Sequence, residues 1–173
     1  MNRGVRVHVG EGETLVSSDP DRVATAALGS CVAACLFDRV AGTGGMNHFL
    51  LAGEDGSWAG SAERYGAYLM ELLVNRLVAE GARRGRLQAK LFGGAAIGVG
   101  WSGIGAANAD FARRFLEVER IPLVGGSLGG TAPRRIEFWP VGGRARQMRA
   151  PLEAPAARPQ PVRREEVGEV EFF

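Results

Sequence analysis

The fold of this chain of 173 residues is decided by residues 23–37, which read VATAALGSCVAACLF. Almost every residue in the stretch is small or apolar, and the only break is Gly29-Ser30. This pattern predicts a strand, a tight bend at Gly29, and a second buried segment from Cys31 to Phe37. A short apolar run fits a buried strand or a buried helix equally well, so periodicity leaves the type of the second segment open.

The regions on either side of this stretch predict more strands than helices. Val5, Val7 and Val9 alternate with polar residues, which predicts a strand over 3–9 with one exposed face. A turn region is predicted at 38–45, and further strands are predicted at 14–16, 46–51, 87–92, 123–126, 135–139 and 145–149. Because the strands do not alternate regularly with helices, the sequence favours an α+β fold over a doubly wound sheet.

Two amphipathic helices are predicted. Leucines at 69, 72, 73 and 77 recur at helical spacing, and Gly81 is typical of a helix C-terminus. Phe111 and Phe115 mark a second helix that begins near Gly105 and ends before Pro122.

The composition is typical of one globular domain followed by a tail. Hydrophobic residues make up 46% of the chain and charged residues 23%, which excludes wholesale disorder, collagen and coiled coil. No apolar run reaches the roughly 18 residues that a membrane helix needs, and the start of the chain lacks a secretory apolar block. We therefore expect a cytoplasmic protein without membrane insertion. Prolines concentrate from Pro151 onward, so residues 1–150 are expected to form the domain and 151–173 a flexible tail.

Neither nucleic-acid binding nor metal binding is predicted. The chain has 21 Lys and Arg residues, but they are scattered and lack interleaved aromatic residues. Cys31 and Cys35 have no second cysteine pair nearby, and the chain has 2 histidines. His8 is expected to be exposed on the polar side of its strand, and Cys35 to be part of the core.

Residues 98–103, which read GVGWSG, match the dinucleotide-binding pattern G-x-G-x-x-G. In a chain with 26 glycines such a match arises easily by chance. Trp101 would also crowd the loop that a pyrophosphate must approach. The sequence therefore favours a structural loop, and a nucleotide-dependent enzyme stays as an alternative.

Cys31 and His48 are the candidates for catalysis. Cys31 follows Gly29-Ser30, where a bend exposes a thiol and leaves backbone N–H groups free to bind an oxyanion. His48 lies on a predicted strand that is able to pair beside the Cys31 segment. The thiolate is the nucleophile, and a neighbouring imidazole supplies it by forming a thiolate–imidazolium pair.

An imidazole in this role needs a third group that fixes its tautomer and orientation. Asp38 is the only acid between Ala24 and Asn47, and it lies in a predicted turn. Thr25, on the strand before the bend, is therefore the candidate for this third role.

The chain resembles the chemoreceptor glutamine deamidases, the CheD family. The likeness rests first on residues 27–38, ALGSCVAACLFD, and on 44–50, GGMNHFL. It extends in matching order and spacing over roughly 5–149, with further matches at 64–66, 90–95, 104–105, Asn108, 121–123, 129–130 and 135–138. The chain departs from the family pattern at Leu51-Ala52, at Ser127, and in the glycine-rich stretch between Ala95 and Ile104.

The resemblance implies a catalytic set with Cys31 as nucleophile, His48 as base and acid, and Thr25 as the orienting residue. Gly29, Ser30 and Asn47 are the candidates for an oxyanion or substrate-binding role. The implied reaction is hydrolysis of glutamine side-chain amides on methyl-accepting chemoreceptors through a thioester, without a metal or an organic cofactor. Some members also hydrolyse glutamyl methyl esters of receptors.

The implied fold is a layered sandwich of two mixed β-sheets flanked by helices, related to cytotoxic necrotizing factor toxins. The implied partners are the cytoplasmic domain of a chemoreceptor and a CheC-type phosphatase. A non-catalytic adaptor that binds chemoreceptors or such a phosphatase is the alternative function. An activated Cys31, which iodoacetamide alkylates well before Cys35, would favour the enzyme over the adaptor.

Overall fold

The computed structural model describes residues 4–51, 60–98 and 102–149. In these ranges the chain forms nine β-strands, two α-helices and a short 3-10 turn at Arg84–Arg86. The predicted tail over 151–173 lies outside the described residues. The strands and helices are β1 (Val5–His8), β2 (Thr14–Ser17), β3 (Arg22–Leu28), β4 (Val32–Asp38), β5 (Thr43–Phe49), α1 (Gly60–Ala79), β6 (Gln88–Gly93), α2 (Ser102–Val118), β7 (Leu123–Leu128), β8 (Arg134–Trp139) and β9 (Arg144–Arg149).

The strands form two mixed sheets, one of four strands in the order β1-β3-β8-β9 and one of five strands in the order β2-β5-β4-β6-β7. The pairs β1–β3 and β6–β7 are parallel, and the other pairs are antiparallel. The sheets pack on each other, and both helices pack on the outer face of the five-stranded sheet. The predicted α+β sandwich is therefore confirmed. Within the described ranges, neither helix combines the length and the apolar character that crossing a bilayer requires.

β4 is the centre of the molecule, and all seven of its residues are buried. Its side chains alternate between the two faces of the sheet. The odd-numbered residues 33–37 pack against the four-stranded sheet, and the even-numbered residues 32–36 pack against the helices. Because both faces are covered, the strand has no polar alternation in its sequence, and this is why its periodicity left strand and helix open.

The main disagreement with the sequence prediction lies before His48, where β5 begins at Thr43 inside the predicted turn region. Gly44 and Gly45 suggested a turn, but both lie within the strand. A Cβ on Gly44 would lie 2.3 Å from the carbonyl oxygen of Pro140, and a Cβ on Gly45 would lie 2.6 Å from that of Leu15. These glycines have no side chain at a point where the main chain of another segment comes very close, and such close approaches are one reason that glycine occurs inside strands.

Candidate active site

Cys31 and His48 lie at the same end of two paired strands. In the antiparallel pair of β4 and β5, Ala33 is opposite His48 and Val32 is opposite Phe49. Cys31 directly precedes β4, so it lies two residues from Ala33 on the side of the sheet that His48 shares. Such diagonal neighbours are about 7–8 Å apart at their Cα atoms, within reach of long side chains. The register therefore gives the thiol and the imidazole adjacent positions.

The imidazole of His48 is buried and held at one nitrogen only. Its Nδ1 lies 3.0 Å from the carbonyl oxygen of Val9. A carbonyl accepts, so Nδ1 carries the proton and Nε2 carries the lone pair. Nε2 is buried and has no hydrogen-bond partner among the described residues. A buried acceptor without a partner costs about 1–3 kcal/mol, and such atoms are typical of functional sites.

The main chain of residues 9–13 surrounds His48 and fixes the Val9 carbonyl. The N–H of Gly12 donates to the carbonyl of His48 at 2.7 Å, and the N–H of His48 donates to the carbonyl of Glu13 at 3.2 Å. The N–H of Val9 donates to the carbonyl of Thr25 at 2.8 Å. The orientation of the imidazole is therefore set by backbone groups.

The structure changes the role that the sequence suggested for Thr25. Its hydroxyl lies 3.4 Å from the carbonyl oxygen of Val7 and donates to it, whereas the imidazole donates to Val9. Thr25 reaches His48 only through its own carbonyl and the peptide groups of Val9. A direct bond between the Thr25 hydroxyl and the imidazole is not part of this geometry.

The bend that carries Cys31 is held by three successive carbonyl groups. The carbonyl of Gly29 accepts from the N–H of Ala95 at 2.9 Å, and that of Cys31 accepts from the N–H of Gly94 at 2.8 Å. The carbonyl of Ser30 accepts from the Nδ2 of Asn108 at 3.0 Å. In a trans peptide the C=O and the following N–H point in opposite directions, so the N–H groups of Ser30 and Cys31 face away from these partners. Neither N–H has a main-chain acceptor among the described residues, so both are candidates for oxyanion donors.

Two glycines allow the partners of the bend to come this close. Gly93 has a φ of 105°, and a Cβ there would lie 2.1 Å from the carbonyl oxygen of Cys31. A Cβ on Gly105, in the first turns of α2, would lie 2.4 Å from the carbonyl oxygen of Ala95. The end of β6 and the start of α2 therefore pack directly on the main chain next to the candidate nucleophile.

The thiol of Cys31 is half-buried and protonated at rest. Burial and the nearby carboxylate of Glu11 raise the pKa of Cys31 to about 11, although the N–H of Cys31 itself, directed at the sulfur, opposes the shift. The thiolate–imidazolium pair with His48 stays a prediction. Burial and a like charge oppose the thiolate, because it would lose hydration and face the Glu11 carboxylate.

Cys35 and Asp38, both on β4, have structural roles. Cys35 is fully buried in the core, as the sequence predicted, and burial raises the pKa of its thiol further than that of Cys31. Asp38 lies at the opposite end of β4 from Cys31, where its carboxylate accepts from the Arg86 guanidinium at 2.9 Å and from the N–H of Arg83 at 3.0 Å. Burial alone would raise the pKa of Asp38, but these bonds lower it to about 2.

Asn47 lies on the other face of β5 from His48, so the expectation that it binds the oxyanion or the substrate is wrong. Its Oδ1 accepts from the N–H of Ala34 at 3.3 Å. Its Nδ2 lies 3.3 Å from the carbonyl oxygen of Leu69 and 3.3 Å from the sulfur of Met70. Both partners belong to α1. Successive residues of a strand point to opposite faces, so Asn47 faces α1 while His48 faces the other sheet. Its hydrogen bonds tie the central strands to that helix.

Asn108 is the residue to which the sequence assigned no role. It is fully buried on α2, and besides Ser30 it binds Leu51, whose N–H donates to its Oδ1 at 3.0 Å. The signal was present, because Ile104, Asn108 and Ala112 share one helical face and only Asn108 is polar. A lone amide on an apolar face predicts a buried hydrogen-bonding role.

The remaining candidates gain no support from the described residues. Within 4–51, 60–98 and 102–149, no three His, Cys, Asp or Glu side chains come together as a metal site. The pattern at 98–103 falls partly outside the described residues, and α2 begins at Ser102 rather than near Gly105. His8 is exposed, as predicted.

Comparison with known proteins identifies the family. The family model described as CheD chemotactic sensory transduction matches residues 50–149. The chain belongs to the CheD family. Curated CheD relatives described as probable chemoreceptor glutamine deamidases align over nearly the whole chain. The one from Caulobacter vibrioides (strain NA1000 / CB15N) is 51% identical, covering 99% of this chain and 95% of its own. The one from Agrobacterium fabrum is 53% identical, covering 97% and 96%.

A further CheD relative, from Acidiphilium cryptum, has the same description and is 56% identical over 87% of this chain and 81% of its own. The alignments with CheD relatives include the part of the chain that carries Cys31 and His48, which precedes the region matched by the family model. The resemblance inferred from the sequence is thus confirmed.

Proposed function

We propose that this CheD protein hydrolyses the side-chain amides of specific glutamines on methyl-accepting chemoreceptors, with Cys31 as nucleophile and His48 as base and acid. One observation carries the proposal. His48 is held at Nδ1 by Val9, and its buried Nε2 has no partner among the described residues and lies one diagonal step from Cys31. The substrate class comes from the printed names of the CheD relatives.

The first half of the reaction forms a thioester. Nε2 of His48 accepts the proton of the Cys31 thiol while the sulfur attacks the carboxamide carbon and the carbonyl electrons move to oxygen. The N–H groups of Ser30 and Cys31 donate to this oxyanion. When the carbonyl forms again, the C–N bond breaks, and His48 gives its proton to the nitrogen, which leaves as ammonia.

The second half regenerates the enzyme. His48 accepts a proton from a water molecule that attacks the thioester carbon, and the same N–H groups stabilise the second oxyanion. The C–S bond then breaks, the sulfur recovers a proton from His48, and glutamate leaves. In sum, a glutamine side chain and water give a glutamate side chain and ammonium, and no metal, oxidant or reductant is required.

Because the thiol is protonated before the substrate binds, His48 acts as the base that removes its proton. Because the pKa of Cys31 is about 11, the thiolate forms only as the proton moves to Nε2 during attack. Thr25 belongs to this proposal as a positioning residue, since its carbonyl holds the N–H of Val9. Gly29 allows the bend to pack closely on Ile97, because a Cβ on Gly29 would lie 2.8 Å from the Cδ1 of Ile97.

Three finer proposals follow from the family resemblance. The same thioester forms when the leaving group is methanol, so we expect hydrolysis of receptor glutamyl methyl esters as well. We also expect a CheC-type phosphatase as a regulatory partner. Finally, we expect the protein to act in the cytoplasm, where the helical signalling part of a chemoreceptor lies.

The decisive experiment compares cysteine variants on the cytoplasmic fragment of a chemoreceptor. Wild-type protein, Cys31→Ala and the matched control Cys35→Ala are incubated with the fragment, and peptide mass spectrometry follows conversion of glutamine to glutamate. We expect conversion by the wild type and by Cys35→Ala, and none by Cys31→Ala. Equal conversion by Cys31→Ala would remove Cys31 from the mechanism. Binding of the fragment without conversion by any of the three would favour the non-catalytic adaptor.

A further inference from the structure

We propose that Asn108 is a positioning residue that aims the N–H of Cys31 at the oxyanion of the reacting amide. This inference rests on the function proposed above, because it concerns the same thioester chemistry. Asn108 does not touch the thiol or the imidazole in the described contacts, and it acts through the peptide group between Ser30 and Cys31.

Asn108 joins the two segments that carry the candidate catalytic pair. Its Nδ2 donates to the carbonyl of Ser30 at 3.0 Å, directly before Cys31. Its Oδ1 accepts from the N–H of Leu51 at 3.0 Å, three residues after His48. The side chain is fully buried, so no water competes for these bonds. One amide on α2 thus sets the spacing between the bend and the chain that leaves β5.

The bond to Ser30 fixes the direction of a catalytic donor. The C=O of Ser30 and the N–H of Cys31 belong to one planar peptide unit and point in opposite directions. Holding the carbonyl toward α2 turns the N–H of the same peptide unit away from α2. An oxyanion that forms on a carbon bonded to the Cys31 sulfur lies within reach of the same N–H.

The hydrogen bond that holds the Ser30 carbonyl can be removed by substituting Asn108, because a side chain donates it. The carbonyls of Gly29 and Cys31 are held by backbone N–H groups, which no side-chain change removes. The carbonyl of Ser30 is held by a side chain. Asn108→Asp keeps an acceptor for Leu51 and, once its carboxyl is ionised, places an oxygen against the Ser30 carbonyl in place of the donor, so kcat is compared at high pH. Asn108→Ala removes both bonds without adding repulsion.

The test measures two reactions of the same sulfur. Deamidation of a receptor fragment passes through an oxyanion, whereas alkylation by iodoacetamide is a displacement at a saturated carbon and forms none. We expect Asn108→Asp to lower kcat by about a hundredfold, the range found when an oxyanion donor is lost, with KM unchanged. Asn108→Ala should lower kcat less. Alkylation of Cys31 should change much less than kcat in both variants, and a shift of its pH profile is expected only in Asn108→Asp, because only that variant adds an acid near the thiol.

Asn47→Ala is the matched control, because it removes a buried amide that ties α1 to the sheet and has no bond to the bend. All variants are compared well below their own Tm. The control should keep the wild-type kcat even if its Tm falls, which separates a loss of stability from a loss of positioning.

Three results would overturn the proposal. Wild-type kcat in both Asn108 variants would show that the bond to Ser30 has no catalytic effect. A parallel loss of deamidation and alkylation would show that Asn108 holds the thiol rather than the N–H. An equal fall of kcat in Asn47→Ala would show a general effect of lost packing. Failure of the underlying function is recognised separately, because the wild type would then deamidate the fragment no faster than Cys31→Ala.

Discussion

The alkylation rate of Cys31 should rise about tenfold for each pH unit between neutral pH and about pH 11. Burial and the Glu11 carboxylate raise the pKa of this thiol to about 11, and the thiolate is the species that reacts. At pH 7, about four units below that pKa, about one thiol in ten thousand is ionised. The resting protein should therefore react slowly with iodoacetamide, even though the sulfur is accessible.

The assay follows iodoacetamide labelling of the native protein between pH 6 and about pH 10, with peptide mass spectrometry to separate Cys31 from Cys35. Cys35 is fully buried, so it should remain unlabelled while Cys31 reacts at every pH. Glu11→Gln removes the like charge and should move the Cys31 curve to lower pH, so labelling at pH 7 becomes faster. Glu80→Gln, an exposed acid at the end of α1, is the control and should leave the curve in place.

A different shape of the curve would refute this reasoning. A rate that levels off with a midpoint below pH 7 would mean that a thiolate–imidazolium pair exists before substrate binds. His48 would then act as a counter-ion at rest rather than as a base that accepts the proton during attack. An unchanged curve in Glu11→Gln would show that burial alone sets the pKa of the thiol.

Three further predictions test the parts that surround the site. Thr25→Val should keep deamidation within about tenfold of the wild type, because backbone groups and not the hydroxyl orient the imidazole; a loss as deep as that of Cys31→Ala would place the hydroxyl on the imidazole. Asp38→Asn should lower the free energy of unfolding by about 2 kcal/mol at pH 7 in urea titrations, since bonds in the folded state lower the pKa of Asp38 to about 2. That carboxylate stabilises the fold fully above its ordinary pKa of 3.8 and loses the effect as pH falls through 2, so a difference between variant and wild type that persists at pH 2 would contradict the assignment. Gly93→Ala should lower the Tm and abolish deamidation, because its Cβ would lie 2.1 Å from the carbonyl oxygen of Cys31; a wild-type Tm would contradict the packing described here.

Much of the fold was predictable because its central feature is local. A run of small apolar residues interrupted by Gly29-Ser30 predicts a strand, a tight bend and a second buried segment, and the structure has β3 and β4 there. The amphipathic helices were predicted for the same reason, since their spacing is visible within a short window. The start of β5 was not predictable, because Gly44 and Gly45 serve neighbours that are distant in sequence.

The candidate pair was predictable, but its surroundings were not. Cys31 and His48 belong to segments that pair directly, so adjacency follows from one strand register. The apolar face around Asn108 predicts a buried hydrogen-bonding role, but the partners of Val9 and Asn108 depend on how the segment after β1 and α2 pack against those strands. The misassigned Asn47 shows the same limit, because a one-residue offset along a strand decides which face a side chain occupies.

The proposed mechanism requires that the sulfur of Cys31 becomes covalently bonded to the substrate carbonyl carbon. The most direct measurement is mass spectrometry of the Cys31 peptide after acid quenching of a reaction between the wild-type protein and a receptor fragment. We predict a Cys31 peptide joined to the substrate glutamyl group with loss of ammonia, sensitive to hydroxylamine as a thioester is. Efficient conversion of glutamine to glutamate by Cys31→Ala, with no adduct on Cys31 in the wild type, would contradict this account.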